Sequence, residues 1–180
     1  MKLENIKDYI WLLNIISVIL GFLSVFSPFV HHSETGFNSD YFLLGFKIDH
    51  YPIGPQYDYY GTDSVLYRVG MTTLLVIIIA CIFLLINSLP LLLRKVKTWS
   101  KVWISSIFWL VSGLLMISGV LFFYIEMNLM DSSFWNYWTL SGGILPLIGG
   151  CLAVFSTILK SLISLIISRR SNINKIRNSD

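Results

Sequence analysis

The sequence predicts an all-α membrane protein, a four-helix transmembrane bundle with a small β-sheet or hairpin in its first outer loop. Three observations predict it: long uncharged apolar runs, a very apolar composition, and basic residues concentrated in alternate gaps between the runs. No Asp, Glu, Lys, Arg or His occurs at positions 9–30, 69–93, 102–125 or 132–159, the last run turning strongly apolar only after Thr139. A hydrocarbon core about 30 Å thick takes roughly 20 helical residues to cross, and lipid offers the backbone no partners, so each run closes its own hydrogen bonds as a helix. With 55% hydrophobic and 13% charged residues, the 180-residue chain is too apolar for a soluble domain. The expected organisation is a single membrane domain with spans 9–30, 69–93, 102–125 and 139–160 and outer loops 31–68 and 126–138. A basic link, 94–101, and a tail, 169–180, complete it.

The first run is longer than a signal-peptide core, and its best small-residue site, Val25 with Ser27, is followed by Pro28, which blocks cleavage. It is expected to stay as an anchor. Orientation follows from Lys and Arg. Lys2 and Lys7 precede the first span; Arg94, Lys95, Lys97 and Lys101 fill the basic link; Lys160, Arg169, Arg170, Lys175 and Arg177 close the chain. Only Lys47 and Arg68 fall in the outer loops, so both termini are expected to be cytoplasmic, with the plasma membrane as destination. Glu34, Asp40, Asp49, Asp58, Asp63, Glu126 and Asp131 make the outer side acidic.

Within the spans, small residues recur every seven positions: Ser105, Ser112 and Gly119 in the third, and Gly143, Gly150 and Thr157 in the fourth. A small-residue stripe lets helix backbones approach where lipid supplies no hydrophobic drive, so these six residues are the expected packing seam. Asn14 and Asn87 lie at similar depth and are the expected interhelical polar pair. Lys160, about 30 Å along the fourth span at 1.5 Å per residue, is expected to snorkel to the inner interface. Pro146 is expected to bend the fourth span near its outer end. Trp135, Tyr137 and Trp138 form the expected outer aromatic belt, and Trp11, Trp99 and Trp103 the inner one.

In the long outer loop, residues 41–49 alternate Phe42, Leu44, Phe46 and Ile48 with other types, which predicts one strand with an apolar face. Residues 51–55 predict a turn, and the tyrosine- and aspartate-rich tract 57–63 reads as loop. A second short strand is expected over 29–33, paired with the first across 35–38. The exposed aromatics Phe42, Phe46, Tyr57, Tyr59 and Tyr60 form the expected outer interaction surface.

Catalytic, cofactor and metal sites are not expected. Cys81 and Cys151 sit mid-span, away from any outer Cys-x-x-Cys pair, and read as packing residues. His31, His32 and His50 lack metal-ligand spacing, and no span holds the histidine a membrane haem needs or the carboxylate a proton path needs. The expected partners are the lipid bilayer and another membrane protein or further copies of the chain, not nucleic acid.

Four spans with cytoplasmic ends, a longer first outer loop and a shorter second one resemble the claudin and peripheral-myelin-protein group. Arg68 before the second span is similar to an arginine of that family, and Tyr41 to Phe46 (YFLLGF) stands where the family has its Trp and Gly-Leu-Trp signature. That signature and the family's paired loop cysteines are absent. The resemblance implies a bundle with an outer sheet and contact between membrane proteins. From the outer aromatic and acidic face, the expected function is non-enzymatic protein–protein contact, as a complex subunit or a self-assembling, claudin-like protein. The competing expectation is an oligomeric small-molecule or cation transporter or channel, with the acidic loop at its mouth.

Overall fold

The computed structural model describes residues 9–34, 37–59, 61, 64–92, 99–130, 138–139 and 142–177. Among the described residues four helices follow one another: α1 (Trp11–Phe26), α2 (Val65–Leu92), α3 (Trp99–Met130) and α4 (Ile144–Arg177). Three of them, α2, α3 and α4, are long and apolar enough to cross a membrane; α1 has 16 residues. Each helix packs on two others, α1 against α2 and α4, and α3 against α2 and α4, so the bundle closes with its first and last helices adjacent. The centre holds fully buried Trp109, Ile77, Leu84 and Met116, while Leu75, Ile86, Leu114 and Phe155 are exposed on the perimeter. These helices are thus apolar on their outer as well as their inner faces.

Local chemistry sets the helix ends. Ser27 ends α1 in an extended conformation, the backbone region that a following proline favours, and its N–H still donates to the Leu23 carbonyl. Ser64 caps α2 by accepting the Tyr67 N–H at 3.1 Å. Pro146 is the third residue of α4, inside the first turn, where its missing N–H costs no helical bond. The expected bend therefore has no lost bond to produce it.

Between α1 and α2 run β1 (Val30–Glu34), β2 (Phe37–Tyr41), β3 (Phe46–Tyr51) and β4 (Gly54–Tyr59), and a two-residue β5 (Trp138–Thr139) precedes α4. All pairs are antiparallel in the order β4-β3-β2-β1-β5. The single strand expected over 41–49 is instead two strands joined by a turn at Phe42–Gly45. Gly45 takes φ 89°, and bonds from Phe42 N–H to the Phe46 carbonyl and from Gly45 N–H to the Phe42 carbonyl close the turn. The tract expected to be loop from Tyr57 forms part of β4, because the Pro52–Ile53 turn and Gly54, at φ 129°, fold it back on β3.

The sheet is fastened to one end of the bundle by backbone and apolar contacts. Gly142 N–H donates to the Pro28 carbonyl at 2.7 Å and Phe29 N–H to the Tyr41 carbonyl at 2.7 Å. The Phe29 ring meets Phe123 of α3 edge to face at 5.0 Å. Leu43, in the turn, is 1% exposed.

Candidate functional site

Strand register sorts the sheet's side chains into two faces, since successive residues alternate. One face carries the continuous row His31, Asp40, Ile48 and Tyr57, with Phe46 opposite Tyr59 and Asn38 opposite His50. The other carries the rows Val30, Tyr41, Lys47, Asp58 and His32, Ser39, Asp49, Gln56.

The first face has a polar centre and an aromatic border. Asp40 binds two histidines from flanking strands, His31 Nδ1 at 2.7 Å and His50 Nε2 at 2.8 Å, one on each carboxylate oxygen. Burial pushes this carboxyl up, but the two histidines outweigh it and hold Asp40 below its ordinary value. One carboxylate thus ties three strands. Among the described residues, no group of three or more His, Cys, Asp or Glu side chains is arranged to hold a metal ion.

On the border, Tyr57 is 71% and Tyr59 79% exposed, beside Ile53 at 90%. The two tyrosines are large rings held on β4, and Ile53 stands in the turn before it. Phe42 differs from its expected place: it is buried, stacked on Phe46 at 4.4 Å, because the turn folds it inward. Tyr60, Trp135 and Tyr137 lie outside the described residues.

The opposite face is a lock. Asp49 is buried and accepts the Ser39 hydroxyl at 2.6 Å and the Lys47 ammonium at 2.8 Å. Burial would raise the Asp49 carboxyl, yet Lys47 and Ser39 hold it below its ordinary value. The same Asp49 bond, working against burial, raises Lys47.

Polar chemistry also sits inside the bundle, toward the end away from the sheet. Lys160 is 4% exposed; its Nζ donates to Ser105 Oγ at 2.9 Å and lies 4.0 Å from the centre of the Trp109 ring. The expected snorkelling does not occur. Ser105 and Trp109, one turn apart on α3, give the ammonium an acceptor and a π face inside the bundle. The expected Asn14–Asn87 pair is also absent. Asn14 accepts the Ser156 hydroxyl of α4 at 2.8 Å, whereas Asn87 donates to Phe83 of its own helix at 2.8 Å. Asn87 points away from the centre, and α1 meets α4 at the depth of Asn14.

The six small residues all have close neighbours, though not along one line. Gly150 and Gly113 are in backbone contact: a Cβ on either would stand 2.7 Å from the other's carbonyl oxygen. Thr157 Oγ1 lies 3.4 Å from the Ser106 carbonyl, and Ser105 meets Lys160, so these belong to the α3–α4 contact. Ser112 is fully buried. Gly143 donates its N–H to the Phe29 carbonyl at 3.3 Å, at the sheet junction. Gly119 faces α2, with Val76 3.2 Å from its would-be Cβ and Thr73 Oγ1 3.4 Å from its carbonyl. A seven-residue step slips by about 20° per heptad on a straight helix, so two steps from Ser105 turn the stripe away from α4.

No protein-family model and no curated protein matches the chain.

Proposed function

We propose that the chain is a non-enzymatic, multi-pass plasma-membrane protein whose outer sheet contacts another membrane protein, either a partner in a complex or a copy of itself. In this reading all four helices are embedded, the basic ends are cytoplasmic and the sheet stands outside, a layout like that of claudins. The apolar perimeter of α2, α3 and α4 supports embedding. The observation that carries the contact function is the pair of exposed tyrosines, Tyr57 and Tyr59, on the terminal strand of the sheet. Tyrosine offers large buried area at little entropic cost, which is why it anchors protein contacts. Tyr57→Ser with Tyr59→Ser should abolish recovery of the bound partner after mild solubilisation while leaving insertion and helix content unchanged. Undiminished recovery would contradict the proposal.

Buried Lys160 favours one alternative, transport through an oligomer, because ionisable residues inside bundles often mark a path. A buried ammonium repels cations, so this path would suit anions or neutral molecules better than the cation route an acidic mouth suggests. Selective flux from the purified protein in vesicles, lost in Lys160→Met and indifferent to the tyrosine changes, would replace the contact reading with this one.

A further inference from the structure

Among the described residues β4 ends the sheet, and the hydrogen-bonding pattern of its outer edge can pair with a second copy of itself. In the β3–β4 hairpin, Tyr51 pairs with Gly54 across a two-residue turn, and Pro55, which has no N–H, stands opposite His50. Hydrogen-bonded and open pairs alternate in an antiparallel ladder. Since Pro55 cannot donate to His50, the bonded pairs are Tyr51–Gly54, Asp49–Gln56 and Lys47–Asp58. The backbone groups of Pro55, Tyr57 and Tyr59 therefore point away from β3, along the edge where the sheet ends.

Those groups form a short, specific row. Tyr57 presents both its N–H and its carbonyl, with no partner among the described residues; Pro55 presents a carbonyl only; and the Tyr59 N–H is held by the carboxylate of Asp58 at 2.9 Å. We infer that the partner recognised by this edge is a second copy of the chain, whose β4 pairs antiparallel with the first around a two-fold axis through Tyr57. The inference rests on the proposed contact function. In that register Tyr57 exchanges both its bonds with Tyr57 of the other copy. Each Pro55 carbonyl accepts the other copy's Tyr59 N–H, while the Tyr59 carbonyl facing the proline has no donor there, so the register makes four backbone bonds rather than six. Gln56 stands opposite Asp58, so the carboxylate that releases Tyr59 finds an amide to accept from. Shifted by two residues, the pairing would set Asp58 against Asp58 and leave the row out of step, which like charges directly opposite oppose. Pairing in this register joins two five-stranded sheets into one of ten strands.

Asp58 then acts as an edge guard. While it holds the Tyr59 N–H, the edge offers one donor, too little for an unrelated extended chain to add as a strand. A copy in the correct register replaces the lost bond.

The register gives the test. Differently tagged full-length chains carrying Gln56→Cys and Asp58→Cys are reconstituted together in lipid vesicles and mildly oxidised. Opposed residues of an open antiparallel pair lie about 4.5 Å apart at Cα, within disulfide reach, whereas either residue is too far from its own counterpart. Cross-linked heterodimer at least roughly tenfold above either variant alone is expected. Tyr57→Phe, made in each of these two cysteine chains, should leave the yield unchanged, and Tyr57→Pro, made the same way, should lower it to background by removing the central donor with helix content intact. No cross-link above the wild-type background, or equal yield from Gln56→Cys alone, overturns the inference. If the cross-link is absent while Tyr57→Ser with Tyr59→Ser still abolishes recovery of a different protein, the copy-to-copy inference fails and the contact function stands. If the cross-link forms but both tyrosine changes leave all partner recovery intact, it is the contact role of the tyrosine side chains that fails.

Discussion

The bundle and the sheet are held together by opposite means. In the bundle, backbones touch through glycine, as Gly113 and Gly150 do, and the buried polar groups are hydroxyls, an amide and one ammonium, the last enclosed over Trp109. In the sheet, carboxylates bridge strands: Asp40 ties β1 to β3 through two histidines, and Asp49 holds Ser39 and Lys47. Apolar interior packing tolerates little change of volume, whereas a carboxylate network answers to protons. The bundle is therefore vulnerable to changes of side-chain volume and the sheet to changes of pH.

Trp109→Ala strikes the bundle hardest. The side chain is 1% exposed, and large-to-small changes at aromatic core positions cost about 3–5 kcal/mol. Loss of the ring also leaves the Lys160 ammonium without its π face. Denaturant titration in detergent should show the loss while the sheet's own signals persist until the bundle melts. Gly150→Leu comes next. A first side-chain atom would already stand 2.7 Å from Gly113 oxygen and Ile117 Cγ1, so overpacking should cost roughly 1–3 kcal/mol. Leu162→Ala, at a side chain 54% exposed on the perimeter, should cost less by the same titration. A reversed ranking would break the claim that close packing holds the bundle.

For the sheet the lever is pH. Asp40 and Asp49 both titrate below their ordinary 3.8 when folded. Their contribution is thus present above the unfolded carboxyl value and is lost as pH falls through the lower, folded one. Lys47 titrates above its ordinary 10.5, so its contribution is complete below that value and fades as pH rises past it. After correction for intrinsic rates, protection of the strand amides should fall on acidification below about 4 and on alkalinisation above about 10.5. Asp40→Asn with Asp49→Asn should remove the acid limb, while protection in α3 stays level throughout.

The smallest effect is a gain. Gly70, inside α2, borders a narrow apolar cavity with Phe29, Leu43 and Phe123, and its nearest neighbour to a new Cβ is the Leu43 carbonyl at 3.8 Å. Gly70→Ala should stabilise by about 0.5–1 kcal/mol in the same titration, because alanine fits the space and suits a helix interior.

How much of this was legible in the sequence depended on whether the signal was local. Apolar runs announced the helices, since a run of 20 uncharged residues constrains its own conformation. The first strand was visible as well, with its boundary one residue off. The alternation from 41 to 49 misled because the apolar pattern runs unbroken through Phe42, Leu43 and Leu44, and only the left-handed Gly45 reveals a turn. Pairing of β5 with β1 joins residues more than a hundred positions apart, and two residues carry no pattern. Lys160 was misplaced for a similar reason: depth along a helix was readable, but not that Ser105 and Trp109 stand one turn apart on the facing helix. That i, i+4 pair of a hydroxyl and an aromatic, on the helix expected to pack against α4, was the one available clue. Tyr57 and Tyr59 could be named as exposed aromatics; that they end a sheet could not.

In the proposed topology the sheet stands across a membrane from the basic end of the bundle, and side-specific labelling reads that arrangement. Cysteine placed at Ser33, an exposed position in β1, should react with an impermeant thiol reagent on intact cells. Cysteine placed at Ser171, beside Arg169 and Arg170, should react only after the membrane is opened. Equal labelling at both positions on intact cells, or labelling at Ser171 alone, would rule this topology out.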